Sequence, residues 1–329
     1  MGDPHDDQQS FFAPLVGDGR PLLSLTGMLL ILAGLFALFL GMTKHFLPHD
    51  VAYLGMTPQE LCAINECRIV HFMIHDRISF GGVLVALGTL YLWLAAFPLR
   101  HGEPWAWWLF ALSGGMGFGS FLLYFGYGYL DTWHGVATLG MLPIYLGGMA
   151  RSYLQVRPVG TVRALMTPGE PLNWRSVLGC GRLLLILAAS CIAAGGFTIT
   201  MVGMTRVFVP QDLTFMNMTV EDLHRVNPRL LPLIAHDRAG FGGGVFYCGV
   251  TLFFCLWCSP LTRSLWQATL IAGLMGFGTA IFVHFPIGYT DASHLTPAVL
   301  GALMMTAGLT MTWPRGPAAS KLESIPAIP

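Results

Sequence analysis

The chain has few charged residues for its length. Of its 329 residues, 17 are Lys or Arg and 17 are Asp or Glu, so the formal net charge at pH 7 is zero. A zero net charge argues against the strongly basic surface with which proteins bind nucleic acid, and we expect no nucleic-acid partner. The opening segment MGDPHDDQQS is acidic and lacks the basic region of a cleaved signal peptide. We therefore expect the first apolar block to be retained.

Several catalytic signatures are also missing. The sequence has no Gly-rich phosphate loop, no dinucleotide-binding fingerprint and no Ser–His arrangement typical of an activated nucleophile. Cysteines are few and odd in number, with seven in the chain. Cys62 and Cys67 lie close together in a loop, where they can form a disulfide if the compartment is oxidising.

Long apolar blocks dominate the sequence instead. Hydrophobic residues make up 54% of the chain and gather in eight blocks. Each is close to the roughly 20 residues that cross the hydrocarbon core of a bilayer, and the tryptophans lie near the block ends. The blocks are 22–41, 78–97, 105–127, 135–153, 183–202, 239–257, 265–285 and 295–311. They predict an all-α integral membrane protein with eight transmembrane helices and the lipid bilayer as its partner.

The two halves of the sequence resemble each other. GMTKHFLPHD, ending at Asp50, matches GMTRVFVPQD, ending at Asp212; HDR occurs at 75–77 and again at 236–238; GYLDTWH matches GYTDASH. We predict two four-helix repeats, 22–153 and 183–313, with a linker at 154–182 and tails at 1–21 and 314–329. Because four spans per repeat preserve orientation, the repeats should be parallel and related by a pseudo-two-fold axis along the membrane normal.

The basic residues predict how the chain is oriented. With eight spans, both tails and the linker share one face, which carries the larger share of the 17 Lys and Arg residues. The positive-inside rule then makes both termini and the linker cytoplasmic. The long loops within each repeat should face the periplasmic or extracellular side.

Two local patterns predict finer features. Thr57 and Thr219 each precede an acidic residue by three positions, which is typical of a capping box at the start of a short helix. Gly115-x-x-x-Gly119 in the third block, and Ala272-x-x-x-Gly276 in the seventh, predict close helix packing.

Ionisable residues gather at the predicted outer face, in one cluster per repeat. Each cluster combines the HDR motif, a loop aspartate and the Asp and His of the GYxDxxH motif. The repeat-1 cluster is Asp50, His75, Asp76, Arg77, Asp131 and His134. The repeat-2 cluster is Asp212, His236, Asp237, Arg238, Asp291 and His294.

One interpretation of these clusters is a metal-dependent membrane enzyme. Imidazoles and carboxylates suit Zn, Fe or Mn, and the cofactor could also be a haem. The repeat-1 cluster is the better candidate, because His71 and His75 lie on one face of a helix and His71 has no counterpart in the second half. The predicted metal ligands are His71, His75, Asp131 and His134.

Two further interpretations remain open. In the first, each arginine clamps a carboxylate of the GYxDxxH motif or of the outer loop, with Asp131 and Asp291 as the favoured partners, and the protein is a non-catalytic subunit of a larger membrane complex. In the second, the protein is a transporter, although the apolar blocks hold almost no ionisable groups at membrane depth. His284, aligned with Tyr124, is the main exception.

Overall fold

The computed structural model describes residues 16–120, 128–156 and 158–314. Within these ranges the chain is helical and has no β-strand. The first half contains helices α1 (Arg20–Met42), α2 (Pro48–Leu54), α3 (Pro58–Ile64), α4 (Arg68–Ala96), α5 (Pro104–Ser120) and α6 (Thr132–Gln155). The second contains α7 (Val177–Thr205), α8 (Pro210–Met216), α9 (Val220–Val226), α10 (Leu230–Cys258), α11 (Arg263–Phe282), α12 (His284–Ile287) and α13 (Ala292–Met311). Short 3-10 helices occupy Leu99–His101 and Val162–Met166.

Within the described residues, six helical segments are long and apolar enough to cross a membrane. They are Arg20–Met42, Arg68–His101, Val177–Thr205, Leu230–Cys258, Arg263–Ile287 and Ala292–Met311. The predicted blocks 105–127 and 135–153 are not among them. Helix α5 has 17 described residues and leads into 121–127, which lie outside the described residues, and α6 is the least apolar of the long helices. The chain is thus a helical membrane-type protein with six candidate spans; the predicted tails lie largely outside the described ranges.

Helices α4 and α10 form the centre of the bundle. Helix α4 contacts α1, α10 and α11, while α10 contacts α7, α4 and α5. The third long helix of each half therefore packs on the central helix of the other half. Helix α6 lies against α1, and α13 lies against α7. The contact of α4 with α10 brings residues about 160 positions apart in the sequence together.

Glycines allow α1 and α4 to approach closely. A Cβ atom on Gly34 would lie 2.5 Å from the carbonyl oxygen of Gly81, and one on Gly81 would lie 2.8 Å from that of Gly34. Only residues without a side chain permit this contact between backbones. The packing predicted for Gly115, Gly119 and Gly276 is wrong, because a Cβ on any of them meets no described atom within 4 Å.

The two predicted capping boxes are confirmed. The Oγ1 atom of Thr57 accepts a hydrogen bond from the backbone N–H of Glu60 (3.3 Å), and the Glu60 carboxylate accepts from the backbone N–H of Thr57 (2.6 Å). Thr219 and Asp222 make the same pair of bonds at 3.1 and 2.9 Å. The bonds from the capping backbone lower the pKa of both carboxyl groups. Near α3, Cys62 and Cys67 are joined in a disulfide.

The HDR motifs directly precede the predicted blocks 78–97 and 239–257, but they do not stand at the start of their helices. Helix α4 begins at Arg68 and α10 at Leu230, so each motif lies about two turns inside its helix. The preceding residues are helical because they are apolar and pack into a second core beneath the short helices; Phe72 and Leu233 are examples. Asp50 and Asp212 were expected in loops, but they stand at the third positions of α2 and α8.

Candidate functional site

Arg77 joins the two halves through carboxylates. Its Nη1 atom lies 2.9 Å from Oδ2 of Asp50 on α2, and its Nε atom lies 2.8 Å from Oδ2 of Asp237 on α10. The arginine side chain is only 14% exposed. In such a dry environment an unpaired charge would be costly, so the guanidinium group requires a counter-charge, which these aspartates supply.

Arg238 makes the reciprocal pairs. Its Nε atom lies 3.3 Å from Oδ2 of Asp76 on α4, and its Nη1 atom donates a short hydrogen bond to Asp212 on α8. Each arginine thus binds an aspartate of the predicted outer loop, Asp50 or Asp212. The choice of Asp131 and Asp291 as the favoured partners is wrong. Their Oδ1 atoms accept the backbone N–H three residues further on, at 2.8 and 2.9 Å, and so cap α6 and α13. The packing of α4 on α10 brings each arginine to the aspartate of the other HDR motif instead.

A buried tyrosine completes each ion-pair set. The hydroxyl of Tyr129 donates a short hydrogen bond to Asp50, and that of Tyr289 donates to Asp212 at 2.7 Å. Burial, reinforced by the neighbouring carboxylate, raises the pKa of both phenols well above the ordinary value. Both tyrosines therefore stay protonated and act as hydrogen-bond donors.

Three imidazoles from α4, α12 and α13 converge in what we term the first histidine group: His75, His284 and His294. One ligand atom of each lies within 4.8 Å of the others. The Nε2 atoms of His75 and His284 are 3.0 Å apart, and both residues are 4% exposed. On the other side of the ring, Nδ1 of His75 lies 2.9 Å from the carboxylate of Asp76.

Hydrogen bonds select the tautomer that two of these rings adopt when neutral. The phenol of Tyr289 donates to Asp212, so its oxygen can accept the Nδ1–H of His294, 3.2 Å away. Likewise, the Asp76 carboxylate accepts the Nδ1–H of His75. In both neutral rings Nε2 is then the nitrogen that keeps its lone pair, which is the form that binds metals.

The second histidine group is Asp131, His134 and His236, from the start of α6 and from α10. Its ligand atoms also lie within 4.8 Å of one another. The Oδ2 atom of Asp131 is 3.8 Å from Nε2 of His236, while its Oδ1 atom is 2.9 Å from Nε2 of His49. The ring of His236 also meets Tyr129 edge to face, with centroids 5.1 Å apart.

The predicted clusters are thus brought together, but each histidine group combines both halves of the chain. Of the four predicted metal ligands, His75 belongs to the first group, whereas Asp131 and His134 belong to the second. His71 lies apart, with its Nε2 atom 3.0 Å from Nζ of Lys44. Sequence reasoning did not assign His284 to a site. The available signal was a histidine in an apolar block.

The exposed Asp291 stays outside both groups and accepts a hydrogen bond from Ser293 at 2.6 Å. This bond and the backbone N–H of His294 lower the pKa of its carboxyl group. The position that Asp131 and Asp291 share in the predicted clusters thus behaves differently in the two halves.

A cavity of about 720 Å³ opens beside the second histidine group. Asp131, His134 and His236 line one end, together with Arg77 and three further aspartates. The rest of the wall is mainly apolar and comes from α1, α4, α5 and α6. The first histidine group does not line this cavity. The two groups therefore differ in access as well as in composition.

The site can hold cations, donate and accept protons at imidazoles, and bind a molecule in the adjacent cavity. Comparison of the chain with protein-family models, curated proteins and solved structures gives no match.

Proposed function

We propose that the protein is a metal-dependent membrane protein that binds two transition-metal ions, one in each histidine group, and that chemistry occurs at the second. The observation that carries the proposal is the convergence of three ligand residues, from distant parts of the chain, at each of two places. Histidine and aspartate in sets of three are the common protein ligands of zinc and non-haem iron.

The first histidine group fits a single ion better than a haem. Two imidazole nitrogens bound to one tetrahedral zinc at about 2.0–2.1 Å lie about 3.4 Å apart, whereas ligands on opposite sides of an iron lie about 4 Å apart. The Nε2 atoms of His75 and His284 are 3.0 Å apart, nearer to the tetrahedral value. The contact from Asp76 to His75 is the carboxylate–histidine arrangement that orients metal ligands.

The second histidine group fits a catalytic ion. Two imidazoles and one carboxylate leave coordination positions for water or substrate, as in catalytic zinc sites and non-haem iron enzymes. The adjacent cavity supplies room for a bound molecule at these positions. A metal ion there would polarise an oxygen atom or lower the pKa of a bound water.

The charge of the polar layer also favours bound cations. Five aspartates face two arginines, Arg77 and Arg238, and none of the five is more than 16% exposed. The aspartates are Asp50, Asp76, Asp131, Asp212 and Asp237. Because uncompensated buried carboxylates are costly, divalent cations at the histidine groups would stabilise the layer.

We further propose that the chain is a duplicated 4+4 bundle with eight spans, repeats at 22–153 and 183–313, and a pseudo-two-fold axis along the membrane normal. The same order of long and short helices in both halves and the reciprocal pairs of Arg77 and Arg238 support this arrangement. Both termini would be cytoplasmic and the histidine groups outward-facing. The disulfide at Cys62 supports an oxidising outer compartment for α3.

The experiment is a measurement of metal content. The purified protein, stripped with a chelator and then loaded with Zn²⁺ or Co²⁺, should bind two ions per chain. His284→Ala should leave the second ion, and His236→Ala should leave the first. His224→Ala, which changes an exposed histidine outside both groups, is the matched control and should leave two.

The alternative is a non-catalytic subunit in which the clusters clamp the helices. The reciprocal ion pairs of Arg77 and Arg238 favour this role, since they connect α4 to α10 without any metal. If no ion binds above the level of an unrelated membrane protein, and the His→Ala changes have no effect on metal content, the clamp becomes the preferred function. A partner subunit would then be sought by cross-linking in native membranes.

A further inference from the structure

The cavity beside the second histidine group is long and has one polar end. Along α4 its wall runs from Arg77 to Tyr91, a distance of about 21 Å at 1.5 Å per residue. Phe80, Leu84 and Leu87 line the stretch between them. The length, the volume of about 720 Å³ and the apolar walls suit a chain-like molecule rather than a compact polar one.

The wall formed by α1 faces outward. Leu32 and Phe36 line the cavity, yet they are 57% and 53% exposed on a helix that is a candidate membrane span. A molecule could therefore enter from the hydrocarbon of the bilayer past Leu32 and Phe36. An occupant taken up by this route must itself be soluble in lipid.

The polar end disfavours an anionic head. Four of the carboxylates line it, whereas its one guanidinium group, that of Arg77, already binds Asp50 and Asp237. One divalent ion in the second group would still leave this end with excess negative charge. An uncharged oxygen could bind such an ion or accept a proton from an imidazole without adding to the repulsion.

We infer that this cavity binds a long-chain amphiphile with an uncharged, oxygen-bearing head, such as an alcohol or a quinone, placed against Asp131, His134 and His236. The inference rests on the proposed function, because the head is the candidate substrate of the metal in the second histidine group. The apolar chain extends along α4 towards Tyr91.

Glycines in the cavity wall provide a way to block it. Gly117 on α5 and Gly140 on α6 line the cavity, and a Cβ atom on either meets no described atom within 4 Å. A leucine at these positions would therefore occupy cavity space rather than displace a neighbouring helix. Gly115 is the matched control, since it is two residues away on the same helix, equally uncrowded and not part of the cavity lining.

Trp133, which lines the polar end, can report binding. The zinc-loaded protein in nanodiscs is titrated with three quenchers: 2-bromododecan-1-ol, 2-decyl-1,4-benzoquinone and 2-bromododecanoate. The signal of this residue is the difference between the wild-type protein and Trp133→Phe. We expect saturable quenching by at least one uncharged probe, weakened at least 10-fold in Gly117→Leu and in Gly140→Leu and unchanged in Gly115→Leu.

The relative affinities of the alcohol and the quinone then identify which uncharged head group the cavity prefers. Either order supports the inference. Absence of saturable quenching by both uncharged probes overturns it, as does tighter binding of the dodecanoate or equal weakening by Gly115→Leu. Metal content measured on the same samples separates the two proposals. Two bound ions without quenching reject the amphiphile alone, whereas absence of bound ions rejects the proposed metal function. Gel filtration and thermal unfolding check that the glycine variants fold.

Discussion

The two histidine groups use aligned positions of the two halves and yet differ in their ligands. His75 aligns with His236, and His134 aligns with His294, so each group takes one residue of each pair. The first group adds a third imidazole, whereas the second adds a carboxylate. The aligned positions of the two halves thus set where the ligands lie. A few neighbouring residues decide which side chains serve as ligands.

The fate of the aligned aspartates shows how this occurs. Asp291 has Ser293 two positions later and accepts its hydroxyl at 2.6 Å, and Gln211 also bonds that serine. Asp131 has a tryptophan at the corresponding position and lies 2.9 Å from His49, which aligns with Gln211. Asp131 therefore reaches into the second group, whereas Asp291 remains exposed.

The ion pairs, in contrast, are the same in both halves. Each arginine binds the aspartate of a short helix in its own half and the HDR aspartate of the other half. A charge pair in a dry layer tolerates little change, because removal of one member leaves the other uncompensated. The ligands around these pairs differ between the two histidine groups.

The largest expected effect tests the ion pairs that are the same in both halves. Arg238→Met should lower the free energy of unfolding by about 3–5 kcal/mol, because it leaves Asp76 and Asp212 buried without a counter-charge. Arg77→Met should lower it less, since Arg77 and Asp237 retain some contact with solvent. Unfolding in mixed micelles measures both. Arg206→Met, at an exposed position, is the control. Equal effects of all three changes on the free energy of unfolding would contradict a stabilising role of the buried ion pairs.

The second prediction concerns position 284 of the first histidine group, which receives the residue found at the aligned position of the other half. His284→Tyr introduces tyrosine, the residue at the aligned position 124, and removes one of the three imidazoles. We expect Zn²⁺ affinity at the first group to fall at least about 100-fold, since loss of a ligand should exceed the 10–100-fold effect of outer-shell changes. Titration with Co²⁺ should show the second group unchanged, which is the internal control. Parallel weakening of both ions would mean that the groups are not independent.

The third prediction compares the tyrosines. Tyr289→Phe removes the acceptor for Nδ1–H of His294, so metal affinity of the first group should fall about 10-fold. Tyr129→Phe is the matched change in the other half. It removes a bond to Asp50, and we expect it to leave the affinity of the first group unaltered. If Tyr129→Phe weakens the first group as strongly, Tyr289 does not act through His294.

The smallest effect concerns the capping boxes. Thr57→Ala should destabilise α3 by about 1 kcal/mol, and Thr219→Ala should do the same to α9. The carboxyl of Glu60 has a lowered pKa, so its contribution is present above the ordinary value of 4.5 and is lost as the pH falls through the lowered one. For Asp222 the ordinary value is 3.8, so α9 should resist acid to a lower pH.

Amide hydrogen exchange of the two helices, measured from neutral to acidic pH, tests the capping prediction. Exchange in α3 should rise first in the wild-type protein. In the alanine variants it should be faster at neutral pH and depend less on acid. A uniform rise across the long helices would instead indicate global unfolding.

Local features of the fold could be predicted from the sequence because they depend on neighbouring residues. Six of the eight predicted blocks, 22–41, 78–97, 183–202, 239–257, 265–285 and 295–311, coincide with candidate spans of the described residues, and the capping boxes at Thr57 and Thr219 were confirmed. The residues at which the helices begin were predicted less accurately. The apolar residues before His75 extend α4 by two turns because they pack beneath the short helices, a contact that a linear pattern does not contain.

The sequence by itself determined that two sets of His, Asp and Arg would gather in one layer, since matching motifs lie at matching positions of apolar blocks. Only the tertiary structure decided their partners. Arg77 binds Asp237, and His75 meets His284, because α4 packs on α10 and α11, and these contacts join residues 160 and 209 positions apart. Spacing along one helix fixes which side chains share a face. It carries no information about which distant helix will face them, because that choice depends on packing of the whole bundle.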